Sequence, residues 1–309
     1  MSVQHCCTLS SAHAKLLTDR QRYAPKTRTN LAMARQGRPG IATKGLADST
    51  MIANDNDTQP CTSDAEGRHK YSFAPLIFPC RTRDGVVLLD LKRNRYLGLS
   101  CADARALSRC VNGLPKPDQR MELEAGVSAG EPTMALLDSL LADMIITSSQ
   151  VGSNEVVSTA IRLHGPLVSI GEEMTEKCRV RITHVVNFLV CLLSSAASLK
   201  CVPLRYIVRR VYRRRSRAIA NGYTLNLSHV SMLVDAFRSV RPYFFLAKDH
   251  CLLHALTLVH YLAHYGEFPL WVFGVATDPW AAHSWVQHEE FLLDCNPDKL
   301  CSLEPILAI

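Results

Sequence analysis

Cys251, His283 and Asp294 occur in that order in the C-terminal part of this 309-residue chain. A thiolate, an imidazole and a carboxylate are the three groups that acyl transfer through a cysteine nucleophile requires. Cys251 stands at the head of an apolar run, Cys251-Leu252-Leu253-His254-Ala255-Leu256-Thr257-Leu258-Val259-His260-Tyr261-Leu262, that has the character of a helix. Asp249 fits its N-cap and Gly266 its C-terminal stop. Cys251 therefore belongs to the first helical turn. There the unpaired backbone N–H groups and the positive end of the helix dipole favour thiolate over thiol.

The other two residues need strands to hold them. Leu270-Trp271-Val272-Phe273-Gly274-Val275 and His283-Ser284-Trp285-Val286-Gln287 are rich in aromatic and β-branched residues and bounded by turn formers. Residues 290–294 make a third strand. A tight turn at His288-Glu289 places His283 directly opposite Asp294, with Cβ atoms about 5 Å apart, close enough for the carboxylate to orient the ring. The register is sensitive, because a one-residue slip turns Asp294 away and brings up Cys295. Cysteine is also among the most buried residue types, and the chain has twelve, so Cys251 taken alone reads as a core residue. The ordered set of three shifts the reading toward chemistry.

Residues 239–309 resemble a known family on several segments. These are Arg241-Pro242-Tyr243-Phe244-Phe245, Asp249-His250-Cys251-Leu252, the run Tyr265-Gly266-Glu267-Phe268-Pro269-Leu270-Trp271-Val272-Phe273-Gly274-Val275, then Pro279-Trp280-Ala281-Ala282-His283-Ser284-Trp285-Val286-Gln287, and Glu304-Pro305-Ile306-Leu307-Ala308-Ile309. The stretch looks like the B protein of lasso-peptide biosynthesis, the leader peptidase, whose protease domain has a transglutaminase-like (papain-like) cysteine protease fold. The resemblance implies that Cys251 is the nucleophile and His283 the general base and acid. The family's acidic residue lies near the end of the strand after the histidine. Here that segment reads Leu293-Asp294-Cys295-Asn296-Pro297-Asp298, which makes Asp294 the first choice and Asp298 the second.

Upstream, 71–149 resembles the other half of such proteins, a small winged-helix domain that recognises the precursor's leader and is in some members a separate chain. Gly85-Val86-Val87-Leu88-Leu89-Asp90-Leu91 and Arg95-Tyr96-Leu97-Gly98-Leu99 read as two strands joined by the basic turn Lys92-Arg93-Asn94, with helical stretches near 102–111 and 132–146. A free sheet edge accepts an extended peptide as an added strand. The expected fold is α+β. Residues 1–69 form a disordered or mis-called extension, 70–150 the recognition domain, 151–180 a linker and 181–309 the protease domain.

The N-terminal stretch is polar and basic, without sustained apolar periodicity and without the apolar core of a secretory signal. Met51 is an alternative start. The twelve cysteines are scattered with no CxxC pair, which argues against a disulfide framework or zinc ribbon and for a reducing cytosol. No P-loop, dinucleotide fingerprint, GxSxG or HExxH occurs. No cofactor is evident in the sequence; family resemblance alone brings in ATP.

Residues 183–199 are uncharged and apolar, at the lower limit of a membrane span, and read as a buried helix of the protease domain. They precede Arg205-Tyr206-Ile207-Val208-Arg209-Arg210-Val211-Tyr212-Arg213-Arg214-Arg215-Ser216-Arg217, a basic amphipathic segment suited to an acidic surface or simply to solvent. His250/His254 and His260/His264 have one-turn spacing, but lack the glutamate of a zinc protease helix.

The resemblance implies a leader peptidase of lasso-peptide maturation, cytoplasmic and able to associate with the membrane. Its expected partners are the precursor leader, an asparagine-synthetase-like cyclase, and an exporter or the inner membrane surface, with no nucleic acid. The alternative is a transglutaminase-like acyl transferase acting on another peptide or an amine. A third reading is a winged-helix DNA-binding protein using its arginines on phosphate.

Overall fold

The computed structural model describes residues 70–115, 134–148, 168–169, 180–244 and 251–309. The calls on 1–69, on most of the 151–180 linker and on the Asp249 cap lie outside them. The described chain is a mixture of helices and strands arranged around two main hydrophobic cores.

The first part opens with β1 (Tyr71–Phe73), followed by a three-stranded antiparallel meander of β2 (Ile77–Thr82), β3 (Gly85–Asp90) and β4 (Arg95–Ser100). The expected pair 85–91 and 95–99 is β3 and β4, and the basic turn between them is built on a buried acid. Asp90 is fully buried and accepts hydrogen bonds from Arg93 N at 3.0 Å, Arg93 Nη1 at 3.2 Å and Arg95 Nε at 3.2 Å. Hydrogen bonds to a charged group of this kind stabilise by about 1.5–3 kcal/mol each. Helix α1 (Cys101–Leu107) follows directly, capped by Ser100 Oγ, which accepts from Asp103 N. Next come β5 (Val111–Asn112), α2 (Met134–Ala142) and β6 (Ile146–Thr147). The second helix therefore stops before the expected 146, because Ile146 pairs with Phe73 on β1 instead. Strands β5 and β6 flank β1 in a second small sheet.

The meander is buried on both faces. Val86, Leu88 and Leu99 face a core shared with Leu107, Leu137 and Ile145, whereas Phe78, Cys80, Val87 and Leu89 face the other way. That other face joins the main core of the C-terminal part, which is why β3 reads as a continuous apolar run rather than an alternating one. Cys80 Sγ lies 3.4 Å from the carbonyl of Pro305, on a strand near the chain end.

The C-terminal part has four helices, α3 (Ile182–Cys201), α4 (Leu204–Ala220), α5 (Leu227–Val240) and α6 (Cys251–His264), with a 3-10 turn at Arg241–Tyr243 after α5. Its sheet contains β7 (Val168–Ser169), β8 (Leu270–Thr277), β9 (Trp280–His288), β10 (Phe291–Leu292) and β11 (Glu304–Ala308), in the order β11-β8-β9-β10-β7. Helix α6 is the central element. One side packs on β8 and β9, and the other runs along α3. Around it Phe188 of α3, Phe237 of α5 and Tyr261 of α6 meet at ring distances of 5.0 and 5.5 Å.

Helix α3 is the apolar run foreseen in the sequence. It is long and apolar enough to cross a membrane by length and composition. Phe188, Cys191 and Ser195 are buried against the fold, but Ile182, Val186, Val190 and Leu193 are exposed. It is thus not buried all round, as expected, but on one side only.

Candidate active site

Cys251 is the first residue of α6 and is half-buried, in the turn where the helix dipole has its positive end. Its sulfur is engaged in a disulfide, whereas the seven other cysteines among the described residues are free. The thiolate that would act as a nucleophile thus belongs to the reduced chain. Gly266, with φ of 85°, takes the left-handed conformation that closes the far end of the helix.

His283 lies on β9, the strand against which α6 packs, paired across the sheet with Gly274 of β8. Its ring stacks on Trp285 at 6.3 Å with an interplanar angle of 17°. Burial, reinforced by the charges of Lys299 and His254, pushes the imidazole down to about 4, so it is neutral at pH 7. A neutral imidazole is the form able to accept a thiol proton.

The third residue is arranged differently from the expectation. Phe291 pairs with His288 and Leu292 with Gln287, so the two-residue loop is Glu289-Glu290 rather than His288-Glu289. Glu289 makes the reversal with φ of 49°. This moves the register by two residues, and regular pairing ends near Leu293, whose N–H reaches Val286 O at 3.0 Å. Asp294, with φ of 149°, leaves the strand, and its carboxylate turns to helices α5 and α6. Oδ1 accepts from Arg238 Nε at 3.0 Å. Oδ2 accepts from Arg241 Nη1 at 2.9 Å and lies 2.9 Å from His254 Nε2. His283 Nε2 instead lies 3.7 Å from Cys295 Sγ. Asp298 lies in the 3-10 turn Pro297–Lys299, where its N–H donates to Asn296 Oδ1.

The Asp294 carboxyl is buried, which by itself would raise its pKa. The hydrogen bond and charge of His254, with Arg241 and Arg238, outweigh this and hold it below the ordinary carboxylate range. Asp294 is therefore a carboxylate at neutral pH that ties the end of the β9–β10 hairpin to α5 and α6. His254 stands three residues after Cys251, on the same side of α6. His254, Arg238 and Arg241 had not been read as site residues, although Arg241 lies within one of the quoted segments and His254 carries the i+3 signal.

The remaining histidine spacings resolve into separate contacts. His260 Nδ1 lies 2.8 Å from Ser195 Oγ, and His264 packs edge-on against Tyr265 at 5.3 Å. No group of three or more metal-capable side chains occurs among the described residues. His250 lies outside them.

The helix-start cysteine and strand histidine fall inside a recognised region, since residues 189–308 match the profile of the transglutaminase-like superfamily. Residues 189–308 are a transglutaminase-like domain. The match starts within α3 and runs into β11, so the transglutaminase-like domain holds Cys251, His254, His283 and Asp294 together with the arginines that bind the carboxylate. No curated protein and no solved structure matches the chain. A domain of this superfamily points to activity of the cysteine protease or acyl transferase type.

Proposed function

We propose that this chain is a leader peptidase of lasso-peptide maturation. The observation that supports it is Cys251 at the first residue of α6 with His283 on the strand beneath, both inside the transglutaminase-like domain. The segments 241–245, 265–275 and 279–287 carry the family resemblance.

In this reading the 70–150 region is a winged-helix-like recognition domain that holds the leader of a ribosomally made precursor. Strand β4 is an edge of its meander and is suited to accept an added strand. Tyr96 on β4 meets Trp280 edge-on at 5.7 Å, and Trp280 begins the strand that carries His283. A peptide bound along β4 would thereby start close to the catalytic strand, which raises the effective concentration of its scissile bond.

The reduced Cys251 gives its proton to His283, and the thiolate attacks the carbonyl carbon of the last leader residue. The Cys251 N–H, in the first turn of α6, is the backbone donor assigned to the developing oxyanion. As the tetrahedral intermediate collapses, His283 protonates the leaving nitrogen, which becomes the free N-terminus of the core peptide. Water, deprotonated by His283, then attacks the thioester and releases the leader with a new carboxylate. Asp294 acts as a positioning residue, keeping the hairpin end against α5 and α6. Water is the acyl acceptor of this hydrolysis, and the freed amine passes to the asparagine-synthetase-like cyclase, which consumes ATP to join it to an acidic side chain.

The test is mass spectrometry of the precursor after incubation with reduced wild-type protein and with Cys251→Ala. One cut at the leader–core junction, present with wild type and absent with the variant, is the expected result. No cut by reduced wild type would refute the peptidase. A product carrying an added amine in place of water would identify the acyl transferase instead.

A further inference from the structure

We infer that the outer face made by α3 and α4 docks on an anionic lipid bilayer, with α3 lying along the interface. The first observation is an aliphatic stripe. Ile182, Val186, Val190 and Leu193 are 75%, 51%, 59% and 67% exposed, and their spacing keeps them on one side of the helix. The stripe runs over about three turns, roughly 16 Å at 1.5 Å per residue. The opposite side is fixed to the fold. Phe188 and Ser195 are fully buried, Asn187 Nδ2 donates to Tyr265 Oη, and His184 Nδ1 lies 2.9 Å from Tyr261 Oη. A helix clamped in this way cannot stand across a bilayer, yet it can lie on one.

The second observation is charge. Helices α3 and α4 contain no aspartate or glutamate, and α4 carries seven arginines, Arg205, Arg209, Arg210, Arg213, Arg214, Arg215 and Arg217. Arg210, Arg213, Arg214 and Arg217 are exposed. Ser194 and Ser198 of α3 line a cavity of about 230 Å³ together with Arg210, Arg214 and His264, so the cationic row borders the aliphatic stripe. A second hollow of about 540 Å³, lined by Tyr206 and five arginines, continues along α4. Tyr206 is 51% exposed, with Arg205 over its ring at 4.7 Å, the pairing of aromatic and cation suited to a headgroup layer.

An aliphatic stripe flanked by cations and free of acids is the pattern of an interfacial helix on anionic lipid. The charge speaks against the other occupants. A second copy packed antiparallel on this face would set arginine row against arginine row. A nucleic acid would match the arginines and leave the stripe in water.

The experiment is co-sedimentation of the full chain with vesicles of phosphatidylcholine plus phosphatidylglycerol, and with phosphatidylcholine alone. Two double variants are compared, Val190→Glu/Leu193→Glu and Arg210→Ala/Arg217→Ala, each checked for an unchanged unfolding transition. Wild type is expected to bind the anionic vesicles only, and more weakly as salt rises. The arginine variant should bind about 30-fold more weakly, at roughly fivefold per lost cation. The glutamate variant should lose binding. Absence of binding by wild type, equal binding to both vesicle types, or wild-type binding by both variants would overturn the inference. So would a wild-type dimer that the glutamate variant converts to monomer, or duplex DNA binding without vesicle binding.

Discussion

Gly274→Ala tests whether the position of His283 is set by the packing beneath it. Gly274 is the cross-strand partner of His283, and the Trp285 ring lies over its Cα. A Cβ added at Gly274 would sit 2.6 Å from two atoms of that ring and 3.4 Å from the carbonyl of Glu304. Reaching an ordinary contact of 3.4 Å requires a movement of about 0.8 Å, the difference between those two distances. Trp285 cannot yield freely, being 2% exposed and pinned by its Nε1 donating to Gln287 Oε1 at 2.8 Å. If the ring moves, it carries the His283 ring stacked on it; if the backbone of β8 moves, it strains the pairing with His283 directly. Overpacking of this kind costs about 1–3 kcal/mol, and a catalytic group displaced by about 1 Å loses roughly 100-fold in rate. The assay is urea unfolding together with kcat/KM for precursor cleavage. Trp285→Phe removes the two clashing atoms, so Gly274→Ala in that background should cost at least 1 kcal/mol less than in wild type. A Gly274→Ala protein within about 0.5 kcal/mol of wild type and fully active would refute the reasoning.

Asp294→Asn keeps the side-chain shape and removes the charge that holds Arg238, Arg241 and His254. Because the arginines are 26% and 40% exposed, the expected loss in urea unfolding at neutral pH is about 2 kcal/mol, below the 3–5 kcal/mol of a fully buried pair. The folded carboxyl is held below its unfolded value, so this stabilisation is present above the ordinary carboxylate range and fades as pH falls through the folded pKa. A wild-type-to-variant difference that stays constant into acid would contradict it. His283, pushed down to about 4, is in its base form throughout the neutral range, so the acid limb of kcat/KM should lie near pH 4 rather than 6.5; a limb at the ordinary imidazole value would show a solvated ring. Glu267, 5% exposed, accepts from Tyr223 Oη at 2.8 Å and lies 2.9 Å from His229 Nδ1, joining the loop after α6 to the α4–α5 connection. Glu267→Gln should cost about 1–2 kcal/mol in urea unfolding, and an unchanged midpoint would show those contacts to be dispensable.

The elements that hold Cys251 and His283 were legible because their signals are local. The apolar run from Cys251 ends at a glycine with positive φ, and the aromatic and β-branched runs of β8 and β9 are strands by composition alone. The hairpin loop was misplaced because Glu289-Glu290 contains none of the glycine, asparagine or aspartate that marks a tight reversal. Strand β2 was hidden by Pro79, which it tolerates as an edge of its meander. Helix α5 was signalled by Leu227, Val230, Leu233, Val234 and Phe237 behind the cap Asn226, a pattern as regular as that of α6, though no expectation was attached to it. The Asp294 network could not be read from spacing. It joins residues 40 to 56 positions apart, and it forms only because the chain leaves the strand after Leu293.

The meander with two buried faces limits how far this chain can be treated as interchangeable parts. The first part of the chain, transplanted onto another protein or produced as a separate polypeptide, would carry Phe78, Cys80, Val87 and Leu89 into water. Each large aliphatic or aromatic group so bared forfeits about 1.5–3 kcal/mol, and together they offer a sticky wall for aggregation. Under the proposed leader-recognition role, re-coding specificity is therefore a task for substitutions on the β4 edge, with the reverse side of the sheet left as it is.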